Sequence, residues 1–307
     1  MVAAALEPQV IGVDVGGTKI LAGLIARDGS VVSHREYPTP IENEDALLDG
    51  LEAAVREFLD ESVLAVGFGI PSQIDQRHGI ALGSVNIPLR GVPFRQKMAD
   101  RLGLPIGMDN DANAAAIAEW HAGAGRGTTD MVMLTLGTGV GGGLILGGKP
   151  YRGWFGAGSE IGHMVIVHDG VPCRCGGHGH LESYASGKAA DELAAQAFGP
   201  AADAHRLVRL AREGDPLAIR ILTGIGEHLG SGIASLVNIF NPELIVVGGG
   251  FAAADDLLFE PAKKIADREV LVSVRDSYRI VRAELGTSAG MIGAGMVAFE
   301  ALETASA

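Results

Sequence analysis

Cysteine is nearly absent from this chain, whose 307 residues include only Cys173 and Cys175. Two cysteines separated by a single residue cannot form the disulfide framework of a small secreted protein. The opening segment, Met1 to Leu6, has no basic region before its apolar residues and is too short for a signal peptide. We therefore expect a cytoplasmic protein.

Positive charge is also scarce, since 24 Lys and Arg residues face 37 Asp and Glu residues and give a net charge of −13. An acidic chain repels the phosphate backbone and anionic lipid, so we expect neither nucleic acid nor a membrane as a partner. The uncharged stretch from Met131 to Gly148 is long enough to resemble a membrane helix. Its glycines cluster in the middle, however, which predicts strand, turn and strand.

Glycine, by contrast, is plentiful, and its 45 residues fall in clusters. Clustered glycine indicates backbone that turns tightly or approaches another group closely. The clusters are Gly16-Gly17, Gly137 to Gly143, Gly176-Gly177-His178-Gly179 and Gly248 to Gly250.

An internal repeat sets the predicted architecture. Val10 to Ile25 has an apolar strand, a glycine turn and a second strand, and Met131 to Leu146 repeats this order. Two such units predict a duplicated α/β architecture, with a cleft between two lobes joined by the helix that starts near Asp111. Further strands are predicted at Val31 to Tyr37, Val63 to Ile70, Pro105 to Met108 and Glu243 to Val247, and helices at Asn43 to Asp60, Pro93 to Leu102, Asp111 to His121 and Ala289 to Glu300.

Both glycine turns have a composition that binds phosphate, because glycine and threonine present bare N–H groups and a hydroxyl. Asp14 would add a carboxylate for a Mg²⁺-bound water, and Lys19 a positive charge. Either turn alone is more often a plain hairpin with an exposed threonine, but two matching turns favour phosphate binding. The candidates are Asp14, Gly16, Gly17, Thr18, Lys19, Gly137, Thr138 and Gly139.

The glycines Gly248, Gly249 and Gly250 follow a predicted strand, at the sheet edge where α/β proteins bind ligands. An adenosine could lie against this bare backbone, although a simple strand-to-helix turn explains it equally well. The turn from Gly137 to Gly142 also matches the dinucleotide pattern G-x-G-x-x-G. A strand follows it instead of a helix, which argues against a nicotinamide oxidoreductase.

A carboxylate-rich junction, Asp109-Asn110-Asp111, lies where a predicted strand meets a helix. A carboxylate there can take the proton of a sugar hydroxyl as that hydroxyl attacks phosphorus, and Asn110 can both donate to and accept from hydroxyls. The alternative is an ordinary helix cap in which Asp111 satisfies the first turn, and the pattern taken alone favours this.

Four residues with the side chains that zinc prefers fall within one short segment: His163, Cys173, Cys175 and His180. We expect a closed structural zinc site, with two free thiols and surface histidines as the alternative. His178 competes with His180, and spacing does not decide between them. Carboxylates flank this segment at Glu160 and Glu182, where they could accept hydrogen bonds from sugar hydroxyls, unless they are solvated surface residues.

Together these motifs resemble the ROK family (repressors, open reading frames and sugar kinases), with the glucokinases as the most similar branch. The resemblance runs through nearly the whole chain, and it rests on the combined set of motifs. They are Asp14-Val15-Gly16-Gly17-Thr18-Lys19, Leu136 to Gly143, Glu160-Ile161-Gly162-His163 and Cys173 to Glu182.

The resemblance implies an actin-like, ribonuclease-H-type fold, with lobes of residues 1–112 plus 290–307 and 113–289. It implies ATP-dependent phosphorylation of the 6-hydroxyl of a hexose, with glucose favoured and Asp111 as the general base. The sugar would be held by Asn86, Asn110, Glu160, His163 and Glu182, and His163 would also bind zinc. Phosphates would lie at the two glycine turns and adenosine at Gly248 to Gly250, with ATP, Mg²⁺ and structural Zn²⁺ as cofactors.

This chain departs from the family in two places. The third zinc cysteine is replaced by His180, which puts the affinity and pH dependence of zinc binding in question. A proline that the family often has is replaced by Val85. Repressors of the family carry a DNA-binding helix-turn-helix before the first strand, for which Met1 to Gln9 is too short.

Several questions remain open within the kinase interpretation. Kinases for N-acetylglucosamine, N-acetylmannosamine, mannose and fructose share these motifs, and a sugar-binding regulator is the non-enzyme alternative. Polyphosphate is a second possible donor, although the absence of an obvious basic stripe favours ATP. A homodimer or homotetramer is expected from the resemblance.

Overall fold

The computed structural model describes residues 9–305, and the Met1 to Leu6 segment therefore lies outside the described residues. The strands are β1 Gln9–Val15, β2 Lys19–Ala26, β3 Val31–Pro38, β4 Val63–Ile70, β5 Gln73–Asp75, β6 Ile80–Gly83, β7 Ile106–Asn110, β8 Met131–Leu136, β9 Val140–Ile145, β10 Leu244–Gly248 and β11 Arg279–Arg282. The α-helices are α1 Glu44–Arg56, α2 Phe94–Leu102, α3 Asp111–Ala122, α4 Glu182–Ala185, α5 Gly187–Phe198, α6 Ala204–Arg212, α7 Pro216–Phe240, α8 Asp256–Glu269 and α9 Ala289–Ala305.

The first half of the chain forms a five-stranded sheet in the order β3-β2-β1-β4-β7. β1 pairs antiparallel with β2 and parallel with β4, so that Val13 lies beside Ala22 on one side and Phe68 on the other. This central strand is almost wholly buried, as its apolar run predicts. The carboxyl ends of β1, β4 and β7 meet at one edge, which brings Asp14 and Asn110 to the same side of the sheet.

The second half repeats this plan in a four-stranded sheet ordered β11-β10-β8-β9. β8 and β9 form the predicted antiparallel pair, with Met131 opposite Ile145, and β10 runs parallel to β8. The uncharged stretch from Met131 to Gly148 is thus a buried hairpin. In the described part of the chain, no helix has both the length and the apolar character that crossing a membrane requires.

Helices α3 and α9 lie between the two sheets and share one apolar core with both of them. That core joins Val10 of the first sheet, Ile117 of α3, Val246 of the second sheet and Met291 of α9. The packing needs bare backbone, because a Cβ at Gly293 would collide with the Ala114 carbonyl and one at Gly67 with the Ala294 carbonyl. Glycine is therefore used here for close approach.

Several predicted elements are confirmed, and three strands were missed. Helix α1 begins after Asn43, whose side chain accepts a hydrogen bond from Ala46 N at 2.9 Å. Strands β5, β6 and β11 have only three or four residues each, too few for an alternating pattern to stand out. Helix α1 ends at Arg56, before the predicted Asp60. The boundaries proposed for the two lobes stay a prediction.

Candidate active site

The first glycine turn joins β1 to β2 and is closed by a hydrogen bond from Gly16 N to Lys19 O of 2.9 Å. Thr18 and Lys19 are exposed, and the Lys19 ammonium pairs with Glu36 at 2.8 Å. Asn86 packs against this turn, since a Cβ on Gly17 would lie 3.1 Å from the Asn86 Cβ. The structure thus brings one predicted sugar-binding residue beside a predicted phosphate-binding turn.

The second turn, between β8 and β9, is held from both sides. Gly137 N donates to Gly139 O at 2.9 Å, and the start of α5 approaches as Gly187 N donates to Gly137 O at 2.8 Å. Glu182 reaches the turn from α4, where its Oε2 accepts from Val140 N at 3.0 Å. A Cβ on Gly139 would collide with this carboxylate. Glycine at this position therefore leaves room for Glu182.

Two cavities meet at the second turn. One, of about 800 Å³, is lined by Gly137, Thr138 and Gly250 together with basic residues of the helices, namely Lys188, His205, Arg209 and Arg212. The other, of about 880 Å³, includes Asn86, Thr138, Gly139, His163, Glu182 and Lys188. Thr138 and Lys188 line both cavities, so the turn stands where a group could pass from one to the other.

The predicted adenosine glycines divide into different environments. Gly250 lines the cavity of about 800 Å³, whereas Gly248 is buried at the end of β10. Gly249 adopts a left-handed φ of 88°. A Cβ there would collide with Leu136 O, so glycine serves the backbone path at this position. Of the three glycines, Gly250 is thus the one placed to contact a ligand in that cavity.

Asp111 is the first residue of α3, and Asn110, rather than Asp111, is the residue that caps the helix. Asn110 Oδ1 accepts from Ala112 N at 2.9 Å and from Asn113 N at 3.3 Å. The alternative in which Asp111 is the cap is therefore wrong, although Asp111 Oδ1 does accept from Ala112 N at 2.9 Å. An N-cap has extended backbone, which Asn110 has as the last residue of β7, whereas Asp111 is already helical.

The environment of Asp111 favours a carboxylate that binds a proton readily. Burial raises the pKa of Asp111, against an opposing effect of backbone hydrogen bonds that include Ala112 N. Asp14 at the end of β1 lies near enough to interact with it. Burial first, and then the charge of Asp111, raise the pKa of Asp14 to about 7, while Lys19 lowers it. Two carboxylates, one near the end of β1 and one at the start of α3, thus share one partly desolvated region.

Glu160 and His163 occupy the segment that follows β9. Glu160 is exposed to solvent, yet neighbouring protein atoms desolvate its carboxylate and raise its pKa, while His163 and a hydrogen bond from Gln73 lower it. Gln73 belongs to β5, one of the strands that the sequence did not predict. The cavity of about 880 Å³ contains three of the predicted sugar-binding residues, Asn86, His163 and Glu182. Its lining does not include Asn110, Asp111 or Glu160.

The predicted metal ligands converge. One ligand atom from each of His163, Cys173, Cys175 and His180 lies within 4.8 Å of the others. Cys175 Sγ is 3.2 Å from His180 Nδ1, and Cys173 Sγ is 3.8 Å from His163 Nδ1. His178 is not part of this group, so His180 is the histidine that the fold presents. Two thiols and two imidazoles converging on one point fit tetrahedral zinc.

Sequence reasoning missed three features around this site. Lys188 lines both cavities, but one lysine on an amphipathic helix has no distinguishing pattern. The ring of Tyr184 contacts that of His228 in a tilted arrangement, with the ring centroids 4.5 Å apart, and its hydroxyl accepts from Val171 N at 2.8 Å within the metal-ligand segment. A partly buried salt bridge joins Asp109 and Arg152, which are 43 positions apart. Only the fold places these residues together.

Comparison with known proteins gives one consistent result. The sequence model of the ROK family matches residues 10–301. A glucokinase of Streptomyces coelicolor is 36% identical, in an alignment covering 94% of this chain and 97% of that protein.

Two solved structures agree with this fold over nearly their whole length. A ROK family glucokinase from Streptomyces griseus, crystallised with glucose and AMPPNP, has a TM-score of 0.83 at 36% identity and covers 95% of this chain and 99% of its own. A ROK hexokinase from Thermus thermophilus has a TM-score of 0.85 at 37% identity and covers 97% of this chain and 100% of its own. The predicted actin-like, duplicated α/β fold is confirmed.

Proposed function

The chain belongs to the ROK family, and we propose that it transfers the terminal phosphoryl group of ATP to the 6-hydroxyl of glucose. The observation that carries the proposal is Asp111, a desolvated carboxylate at the start of α3, whose charge is felt by Asp14 beside the first glycine turn. Likeness to glucokinases across nearly the whole chain supports glucose as the acceptor.

Asp111 acts as the general base in this proposal. Its carboxylate takes the proton of the 6-hydroxyl while that oxygen attacks the γ-phosphorus, and the bond to the β-γ bridging oxygen breaks, which releases ADP. A raised pKa suits this role, because a base with a pKa nearer the working pH gains more driving force for the transfer.

Five residues would hold the sugar, and the fold already engages several of their polar atoms. Asn110 Oδ1 accepts from two helix N–H groups and Nδ2 donates to Ser72 O at 3.4 Å, so Asn110 would offer the second Nδ2 hydrogen to a sugar hydroxyl. Glu182 Oε2 accepts from Val140 N and Oε1 lies 3.8 Å from the Cys173 thiol, so the sugar would use the remaining acceptor capacity of Oε1. Fixed side chains of this kind lose little entropy on binding. The full set is Asn86, Asn110, Glu160, His163 and Glu182.

The two glycine turns would hold the phosphates through Gly16, Gly17, Thr18, Gly137, Thr138 and Gly139, with Lys19 and Lys188 adding positive charge. Adenosine would occupy the cavity that Gly250 lines. Asp14 fits a Mg²⁺ site, because a cation beside this desolvated carboxylate would offset the effects that raise its pKa to about 7. Mg²⁺, when bound, supplies charge neutralisation between the phosphates.

The cluster of His163, Cys173, Cys175 and His180 would hold a structural zinc ion. When bound, zinc supplies a fixed crosslink within the loop. His163 would then present one ring nitrogen to the metal and the other to the sugar. The chain's role here is to hold His163 and Glu182 in place on either side of Cys173, whose thiol lies 3.8 Å from both side chains.

A coupled ADP-release assay with Mg-ATP tests the proposal against glucose, mannose, fructose, N-acetylglucosamine and N-acetylmannosamine. We expect turnover to be highest with glucose. Greater turnover with another hexose would keep the mechanism and overturn the acceptor, and polyphosphate in place of ATP would test the donor in the same way.

We also propose a cytoplasmic homodimer or homotetramer, for which light scattering is the measurement of assembly state.

A further inference from the structure

A partly buried ion triad includes Asp109, two residues before Asp111. Asp109, in β7, is fully buried, and its Oδ2 accepts from Arg152 Nε at 2.5 Å. The same guanidinium reaches Glu300 of α9, with Nη2 2.7 Å from Oε2. Arg152 thus links β7, the strand that precedes Asp111, to α9.

The other carboxylate oxygen of Asp109 accepts hydrogen bonds from residues on both sides of Asp111. Its Oδ1 accepts from Asn110 N at 2.8 Å and from Asn113 Nδ2 at 3.2 Å. Asn110 immediately precedes Asp111, and Asn113 follows it by two positions. The orientation of the Asp109 carboxylate therefore bears on the position of Asp111 itself.

Arg152 belongs to the segment between β9 and Glu160. Gly158 N donates to Arg152 O at 2.9 Å, which closes this segment into a compact loop just before Glu160. The guanidinium therefore relates two parts of the proposed sugar site, the start of α3 and the loop that carries Glu160. Burial opposes the charge of Arg152, but the charges of Asp109 and Glu300 outweigh it and raise the arginine pKa.

We propose that Arg152 is a positioning residue for the general base: through Asp109 it fixes the Asn110–Asn113 turn and thus the direction in which Asp111 points. The inference rests on the proposed function, in which Asp111 is that base. A planar guanidinium suits the role because its N–H donors point in fixed directions. It therefore constrains the orientation of the carboxylate more than an ammonium group does. Without it, Asp109 keeps only the hydrogen bonds of Oδ1 to Asn110 N and Asn113 Nδ2, and the buried Oδ2 loses its cationic partner.

The test compares Arg152→Met and Arg152→Lys with a matched control, Arg101→Met. Arg101 also joins two carboxylates, Asp49 and Glu52, at 2.7 and 2.9 Å, with its side chain 27% exposed against 22% for Arg152. It belongs to α2 and pairs with two residues of α1, outside the proposed catalytic and binding residues. The measurements are kcat with glucose, KM for ATP, and amide hydrogen exchange over residues 109–117.

We expect Arg152→Met to lower kcat about 10- to 100-fold, as for a displaced reacting group, with the KM for ATP near its wild-type value. Exchange over residues 109–117 should accelerate in Arg152→Met, and Arg152→Lys should recover part of kcat and part of the protection. Arg101→Met should retain wild-type kcat and wild-type exchange. If Arg152→Met fails to fold, the same comparison is made with Arg152→Lys, which should show a smaller loss of both.

Wild-type kcat in Arg152→Met and Arg152→Lys, or unchanged exchange at the junction, would overturn the inference, as would an equal loss in Arg101→Met. Failure of the wild-type protein to phosphorylate any sugar would instead refute the proposed function. In that case exchange alone decides whether Arg152 orders the junction.

Discussion

Asp111 is the residue on which the proposed chemistry depends, because it combines a carboxylate, a helix start and partial desolvation. Asp111→Ala removes the base and leaves the Asn110 cap in place. We expect kcat to fall about 10²- to 10⁴-fold while glucose affinity, measured by calorimetry, changes little, since a base acts mainly in the transition state. Asp276→Ala, at an exposed position, is the control. Substantial kcat in Asp111→Ala would refute the assignment.

Asp14 gives the free protein a pH dependence of stability with a definite sign. Burial and the charge of Asp111 raise its pKa from 3.8 to about 7. The folded protein therefore keeps this proton where the unfolded chain has lost it. The resulting stabilisation is complete at pH values below the unfolded pKa, and is lost as the pH rises through the folded value.

Asp14→Asn should remove this dependence. In chemical denaturation without Mg²⁺ or nucleotide, the free energy of unfolding of the wild type should fall by about 2 kcal/mol more than that of Asp14→Asn between about pH 5 and pH 8. Asp276→Asn, which replaces an exposed carboxylate, should behave like the wild type. Parallel pH profiles for wild type and Asp14→Asn would contradict this account.

Among the secondary-structure elements, the β8–β9 turn lines both the proposed sugar cavity and the proposed nucleotide cavity. Substitutions at two of its glycines should therefore affect the two substrates differently. A Cβ on Gly139 would collide with the Glu182 carboxylate, whereas a Cβ on Gly137 would meet no atom within 4 Å. We expect Gly139→Ala to displace Glu182 and raise the KM for glucose about tenfold through the lost charged hydrogen bond. Gly137→Ala, which faces the cavity of about 800 Å³, should raise the KM for ATP instead. Steady-state kinetics measure this split, and equal effects on both KM values in the two variants would refute it.

The metal-ligand segment offers an equally direct comparison. Cys175→Ser removes one of the four converging side chains, so zinc content should drop and glucose binding should weaken more than ATP binding. His178→Ala changes the neighbouring histidine that lies outside the cluster and should leave zinc content unchanged. Elemental analysis measures the zinc content of both purified variants, and calorimetry measures their binding of glucose and ATP. Equal zinc in wild type and Cys175→Ser would exclude the assigned site.

The elements that sequence reasoning predicted are those with long, clear patterns. The apolar runs around the two glycine turns were sufficient to predict β1 with β2 and β8 with β9 as paired strands. The hairpin of β5 and β6 was missed because its strands are too short to show alternation, and with it the contact of Gln73 with Glu160. Short local patterns carry little information about such elements.

For the whole molecule, the duplication of strand, turn and strand was sufficient to predict the duplicated α/β architecture. The ligand types of the converging cluster were also predicted from one short segment, but spacing did not decide between His178 and His180, and the fold brings His180 to His163, Cys173 and Cys175. The Asp109–Arg152–Glu300 triad could not be predicted in this way, because its members come from a strand, a loop and the last helix. Long-range pairs of this kind depend on how α9 and the β9 loop pack against β7, which periodicity does not encode.

The proposed reaction moves the terminal phosphoryl group of ATP to the 6-hydroxyl of glucose. Proton–phosphorus correlation spectroscopy on the product of wild-type protein, Mg-ATP and glucose identifies the carbon that carries the phosphate. We expect one phosphorylated sugar, with the phosphorus coupled to the two protons on carbon 6. Phosphate on another carbon, or no sugar phosphate from glucose, would refute the proposed reaction.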